Sequence, residues 1–380
     1  MLVTMNTTQI IAIVAVALVA VGGVAAAVML TNGGGSDDGY DIKDAADVEV
    51  VSAGDVKTIT AASPTAADLL CYLGFADKLA CVSTSQTNPL IPAGLPTCGS
   101  YSKPDSDAIS TANSDVTILD ASGKNARAAY TTLKDSGMKN IYLIFGSDDG
   151  VDSIYTNIKI IGKIMDCEKK ATDLIDDMKD QVSKVSGNVT KGTSKNVLVL
   201  TGWGSGIKVS NGEFTGLTDE NLTKSVYAAG AGTTLMGLLK QTCKCDTPLE
   251  GSSWVALDSD FISTKTANVD QIIVLWTGNG PKDNAEVAKL VTAAQANAAW
   301  SNCKAVNDGN IVFITQLTGS NLQRMTPYTV EDLSVATVYI HPECYSATSG
   351  GSALSYSDLP KVLTNDNKTT IVGYSGNVVA

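Results

Sequence analysis

Between residues 152 and 186, apolar side chains recur at steps of mostly three and four: Ile154, Ile158, Ile161, Met165, Leu174, Ile175, Met178, Val182 and Val185. This is the spacing of one face of an α-helix. The opposite face carries Lys169, Lys170, Asp173, Asp176, Asp177 and Asp180. No proline interrupts the run, and Gly162 is its only glycine. A helix of roughly 30 residues in mid-chain fits an unbroken, stiff spacer between two lobes. An ordinary long surface helix would leave the same pattern.

Short β-branched runs at 57–60, 79–83, 116–119, 141–145, 197–200, 272–276 and 311–315 read as strands. Helical stretches lie between them near 66–73, 126–135, 283–293 and 330–340. Such alternation implies parallel sheets covered by helices. The predicted fold class is therefore α/β: two α/β lobes with central, mainly parallel sheets, joined by a single long helix and preceded by an N-terminal transmembrane or signal helix. An internal echo supports two equivalent lobes. Asp105-Ser106-Asp107-Ala108-Ile109-Ser110-Thr111, followed by Asp115 at a strand entry, matches Asp258-Ser259-Asp260-Phe261-Ile262-Ser263-Thr264, followed by Asp270 at another. The two segments fall on either side of the long helix.

The apolar run at 10–30 holds no charge, and the first charged side chain is Asp37. As a helix it would be about 31 Å long, close to the thickness of a bilayer core. Two fates fit it: an uncleaved anchor, or a signal cleaved near Ala25-Ala26-Ala27. Its length and the lack of a preceding Lys or Arg favour the anchor. No Cys precedes Cys71, so a lipoprotein anchor is not available. Either way the remainder is exported, and the Gly- and Asp-rich stretch at 31–46 reads as a flexible tether. The expected boundaries are 1–31 for the anchor or signal, 32–50 for the linker, 51–150 for the N-terminal lobe, 151–187 for the linking helix, 188–345 for the C-terminal lobe and 346–380 for an extension.

A net charge of −12 repels a phosphate backbone and sets nucleic acid aside. Eight cysteines in an exported chain permit disulfides. Cys71 with Cys81 and Cys303 with Cys344 are candidate pairs, although connectivity does not follow from spacing. Cys243-Lys244-Cys245 lacks a second pair at zinc-site spacing. Asn188, Asn221 and Asn367 stand in short Asn-x-Thr matches.

Five segments occur in an order that carries a resemblance: ASPTAADLLCYLGFADKLACVS, GSYSKPDSDAI with NSDVTILD, SIYTNIKIIGKIMDCEKKATDLIDDM, WSNCKAVNDGNIVFI and YIHPECY. Across residues 57–345 the chain resembles the substrate-binding proteins of ABC importers for iron-siderophore, haem and cobalamin, whose lobes are joined by one rigid helix. The resemblance implies an extracytoplasmic binding subunit, not an enzyme, that captures a metal chelate and delivers it to a permease with its ATPase subunit. It implies no cofactor beyond the bound chelate. It also implies an acidic residue on each lobe that docks onto permease arginines. Motif register assigns Asp107 to the first position, and the echo assigns Asp260 to the second, with Asp258 the alternative. Both are Asp where the family usually has Glu, which shortens their reach. Capping of a helix N-terminus is the ordinary reading of both.

A chelate of this kind would sit between the lobes, on loops at the C-terminal ends of strands. Aromatic faces and an arginine suit its rings and carboxylates. The candidates are Tyr101, Trp203, Trp254, Trp276 and Arg324, each with core or loop packing as its ordinary reading. TGWGSG at 201–206 lacks the phosphate-loop patterns, and the IKVSNGEF that follows it looks like a hairpin. His341 is the only histidine. It fits a satisfied structural role, leaves no Ser-His-Asp triad, and disfavours histidine-based capture of a bare metal ion. The alternative function is a membrane-anchored surface sensor or adhesion protein on the same fold, without a permease.

Overall fold

A computed structural model describes residues 41–86, 88, 90–146, 152–203, 207–210, 213–224, 226–277, 284–316, 326–344 and 370–374. The anchor or signal expected over 1–31 lies outside the described residues, as does the tether up to residue 40. So do Arg324 and the extension, apart from 370–374.

In the N-terminal lobe, β1 (Ile59–Ala61), β2 (Leu79–Val82), β5 (Val116–Asp120) and β6 (Ile141–Ile144) form one parallel sheet in the order β2-β1-β5-β6. β3 (Gly99–Ser100) and β4 (Lys103–Pro104) make a small hairpin beside it. Every residue of β5 and β6 is buried, as a sheet covered on both faces requires. The helices are α1 (Pro64–Tyr72), α2 (Ser106–Ala112) and α3 (Ala126–Asp135). α1 begins where Ser63 accepts from the Ala66 amide and Pro64 takes the first turn.

The expected unbroken rod is instead two helices, α4 (Asp152–Ile164) and α5 (Glu168–Asn188). α4 ends in a Schellman turn. The Cys167 amide donates to Gly162 O at 2.8 Å and the Asp166 amide to Lys163 O at 3.4 Å, with Asp166 in the left-handed region at φ 50°. Asp tolerates that region better than most residues. Contacts from afar fix the stop: Ser52 Oγ donates to Asp166 Oδ2 at 2.6 Å, and the Ala53 amide takes the Ile164 carbonyl. The first turn of α5 packs closely against the end of α4, because a Cβ on Gly162 would stand 2.5 Å from that of Ala171. α5 alone, about 31 Å at 1.5 Å per residue, is the connector. Lys170 Nζ at its start donates to Leu73 O at the end of α1 (2.7 Å). Its buried face is Ala171, Ile175, Met178 and Val185.

The C-terminal lobe contains β7 (Lys195–Thr201), β8 (Lys208–Ser210), β9 (Glu213–Thr215), α6 (Asp219–Thr223), β10 (Val226–Ala229), α7 (Thr234–Cys243), β11 (Cys245–Asp246), β12 (Trp254–Leu257), α8 (Ser259–Lys265), β13 (Gln271–Thr277), α9 (Asn284–Ala296), α10 (Lys304–Asp308), β14 (Ile311–Gln316), α11 (Pro327–Ile340) and β15 (Thr370–Tyr374). The hairpin expected after TGWGSG is β8–β9. The main sheet runs β12-β10-β7-β13-β14-β15, with β11 beside β7. Only β7, β13, β14 and β11 are parallel neighbours; β10, β12 and β15 join antiparallel. This sheet is therefore mixed, parallel at its centre with antiparallel strands at its flanks. Part of the extension supplies its edge, pairing Ile311 with Tyr374.

The far part of α5 packs on α7 and α11. One apolar cluster consequently runs from the N-terminal lobe through α4 and α5 to Val197, Leu275 and Ile340, while each lobe keeps a second cluster of its own. The expected cysteine pairs are not joined, and all eight thiols are free. Cys71 and Cys81 pack in different clusters, and Cys303 lies in the C-terminal lobe's own cluster.

The internal echo has a structural counterpart. Asp105 caps α2, accepting from the Asp107 and Ala108 amides, and Asp258 caps α8, accepting from Phe261. Ile109 and Ile262 are both fully buried. Asp115 accepts from the Lys57 and Thr58 amides before β1, and Asp270 accepts from the Asn196 amide in β7. Asn140 donates to Asp115 O (3.1 Å) as Asn310 donates to Asp270 O (3.2 Å). The same ties recur around β1, β5 and β6 and around β7, β13 and β14.

Candidate binding edge and docking residues

In each lobe the chain leaves a central strand to one side and returns on the other. In the order β2-β1-β5-β6 that switch lies between β1 and β5; in β10-β7-β13-β14 it lies between β7 and β13. Ligands of open α/β sheets bind outside the carboxyl ends of strands at such points.

At the first switch Ser63 follows β1 and Asp120 ends β5. Ser63 Oγ donates to Asp120 Oδ2 at 2.9 Å, and the Ser122 amide and hydroxyl donate to Oδ1 at 2.9 and 2.5 Å. Burial pushes the Asp120 carboxyl up, against the pull of these hydrogen bonds. Further along the edge, Asn157 of α4 clamps the backbone of Phe145, accepting its amide and donating to its carbonyl. Gly146 presses against Ser122, where a Cβ would meet it at 2.7 Å. Gly123 likewise leaves no room for a side chain beside Tyr101 O, and Asn125 Nδ2 donates to Ser102 O. The loops after β1, β5 and β6 are thus tied to one another at this edge by side-chain hydrogen bonds and close glycine contacts.

Tyr101 lies in the turn between β3 and β4 and is 41% exposed, so its ring has free surface on this rim. Trp276 is the penultimate residue of β13, paired with Thr315 of β14 at the carboxyl edge. Trp203 follows β7 at the second switch but is only 3% exposed, its ring edge-on to Trp300 at 5.6 Å. Core packing is its role here, because little of its surface is open to a ligand. Trp254 begins β12, two residues back from Ala256, which lies level with Tyr227 and Thr201; it is half-buried against the shared cluster and away from the carboxyl edge. Arg324 and the loops at 204–206, 278–283 and 317–325 lie outside the described residues. Sequence reasoning missed Ser63, Asp120, Ser122 and Asn157, since buried polar ties have no spacing rule. It also missed Tyr227, which stands 43% exposed at the level of Thr201.

Asp107 and Asp260 are the second residues of α2 and α8, both exposed. Neither is the capping residue, since Asp105 and Asp258 fill that role. Among the described residues neither carboxylate is held in an ion pair.

His341, Glu343 and Cys344 bring one ligand atom each within 4.8 Å. Both ring nitrogens of the fully buried His341 are already engaged, Nδ1 with Glu343 Oε1 at 3.0 Å and Nε2 with Cys243 O at 2.6 Å. Gly192 permits this packing, because a Cβ there would meet Nδ1 at 2.8 Å. The group ties the end of α11 to the end of α7.

A family model described as periplasmic binding protein matches residues 59–317. No curated protein matches the sequence. Among solved structures, a periplasmic haem-binding protein from Pseudomonas aeruginosa aligns with TM-score 0.57 at 13% identity, covering 76% of this chain and 93% of that one. A periplasmic vitamin B12 binding protein of Vibrio cholerae aligns with TM-score 0.55 at 15% identity, covering 76% and 97%. A possible iron-binding, periplasmic solute-binding protein from Staphylococcus epidermidis gives 0.54 at 20% identity, covering 75% and 99%. At these identities the structures share the fold.

Proposed function

The chain belongs to the periplasmic binding protein family, and from that premise we propose that it is the extracytoplasmic substrate-binding subunit of an ABC importer for a metal chelate of the iron-siderophore, haem or cobalamin type. The observation that carries the reading is the architecture: two sheets, each with a switch point at its carboxyl edge, joined through one 21-residue helix. A bulky guest held between those edges needs rigid rims and a small closing motion. The ties around Asp120 and Asn157 supply rigid rims on one side. A haem-binding and a vitamin B12 binding protein share this fold, which supports the chelate class.

In this reading Tyr101, Trp276 and Arg324 contact the guest, while Trp203 packs in the core against Trp300 and Trp254 against the shared cluster. The apolar segment at 10–30 holds the protein at the outer face of the membrane, or is removed to release it. Tethering raises its concentration near the permease. Asp107 and Asp260 dock onto the permease, and a partner ATPase drives release. Their exposure, their equivalent places in the two halves and the separate capping by Asp105 and Asp258 support this role.

The test is uptake of labelled chelate by cells carrying Asp107→Lys with Asp260→Lys. The expected result is loss of uptake with chelate affinity of the purified protein unchanged. Uptake at the wild-type rate would discard the docking assignment.

A further inference from the structure

We propose that Cys81 and Cys98 are a disulfide pair that locks the segment leading to the Tyr101 turn. Cys81 lies in β2, and the segment before β3 returns alongside it. The Val82 amide donates to Pro96 O and the Cys98 amide to Val82 O, both at 3.0 Å, making a parallel bridge between Val82 and Thr97. Side chains alternate between the two faces of such a ribbon. Cys81 and Cys98, the neighbours of the bridged pair, therefore share the opposite face. Both are buried, at 1% and 0% exposure, in the N-terminal lobe's own cluster, where each thiol is near enough to influence the other. Other buried thiols have different partners: Cys243 Sγ meets Thr337 Oγ1 at 2.8 Å, and Cys303 meets Thr266.

The bridge would fix the rim. The Thr84 amide donates to Gly99 O, and the Asp105 amide donates to Cys98 O, so the locked segment is continuous with the hairpin that carries Tyr101 and with the cap of α2. In the reaction both S–H bonds break and one S–S bond forms. Two protons and two electrons pass to a disulfide-bearing exchange partner, whose S–S bond breaks and which becomes two thiols. Burial pushes both thiols above their ordinary range, so thiolate attack is slow once they are buried, and the bond forms during folding.

The inference does not depend on ligand or permease, so its failure leaves the proposed function standing. Reduced, unfolded full-length protein is refolded in a glutathione redox buffer, then denatured without reductant and alkylated. The expected result is protection of Cys81 and Cys98 alone. One peptide pair joins them, and reduction parts it with a gain of about 2 Da. In Cys81→Ser, Cys98 becomes open to alkylation. Alkylation of both residues in the wild type would overturn the proposal, as would a linked peptide joining either to another cysteine, or continued protection of Cys98 in Cys81→Ser.

Discussion

Replacing Gly162 by alanine separates a helix broken at 165–167 from a continuous rod by the sign of the effect. In an uninterrupted helix, Gly→Ala at an interior position stabilises by about 1 kcal/mol through helix propensity. Here the added Cβ would stand 2.5 Å from the Ala171 Cβ, when ordinary contact begins near 3.4 Å. α4 and α5 would have to part by about an ångström. Overpacking of this kind costs about 1–3 kcal/mol, which offsets the propensity gain and leaves a net loss of up to about 2 kcal/mol. Urea unfolding followed by far-UV circular dichroism would show a lower midpoint at unchanged slope. Ala171→Gly restores the space, so the double variant should recover about 1 kcal/mol or more of coupling. A Gly162→Ala protein more stable than wild type, with no coupling to residue 171, would refute the break between α4 and α5.

Asp120→Ala leaves the Ser63 and Ser122 donors buried without their acceptor, so chemical denaturation should show a loss of about 2 kcal/mol. Because burial raises the Asp120 carboxyl, its folded form keeps a proton that the unfolded chain releases. Its contribution is fullest below the ordinary carboxylate value of 3.8 and is lost as pH rises to the folded value; Asp120→Asn should flatten that slope in stability measured against pH. Asp115 behaves oppositely: hydrogen bonds from the Lys57 and Thr58 amides hold it low, so its stabilisation is present above the ordinary value and fades as pH falls through the folded one. Asp115→Asn and Asp270→Asn should each lower the melting temperature at neutral pH and reduce acid sensitivity, by similar amounts if the two halves are equivalent.

Strand positions were legible because β-branched runs such as 116–119 and 272–276 are short, continuous and bounded by turns, and all seven expected strands are present. The echo around Asp107 and Asp260 was legible because helix caps and strand entries depend on local hydrogen bonds that recur with the sequence. The elbow at 165–167 was not. Met165-Asp166-Cys167 contains neither glycine nor proline, and contacts from Ser52 and Ala53, more than a hundred residues away in the chain, fix the stop. The antiparallel β10 and β12 were missed because Val226–Ala229 and Trp254–Leu257 each hold a single valine and so form no β-branched run. At the site, the sequence pointed to aromatics next to strand ends. It could not tell that Trp203 turns inward onto Trp300 while Tyr101 stays at the surface, since that depends on packing across the lobe.

Capture of a metal chelate is tested most directly by titrating the purified protein with haem, cobalamin and a panel of ferric siderophores while following the fluorescence of its four tryptophans. The account predicts saturable quenching at one chelate per chain for one of these classes, and none with uncomplexed ferric or cobalt ions. A folded protein, verified by circular dichroism, that binds no chelate saturably would contradict it.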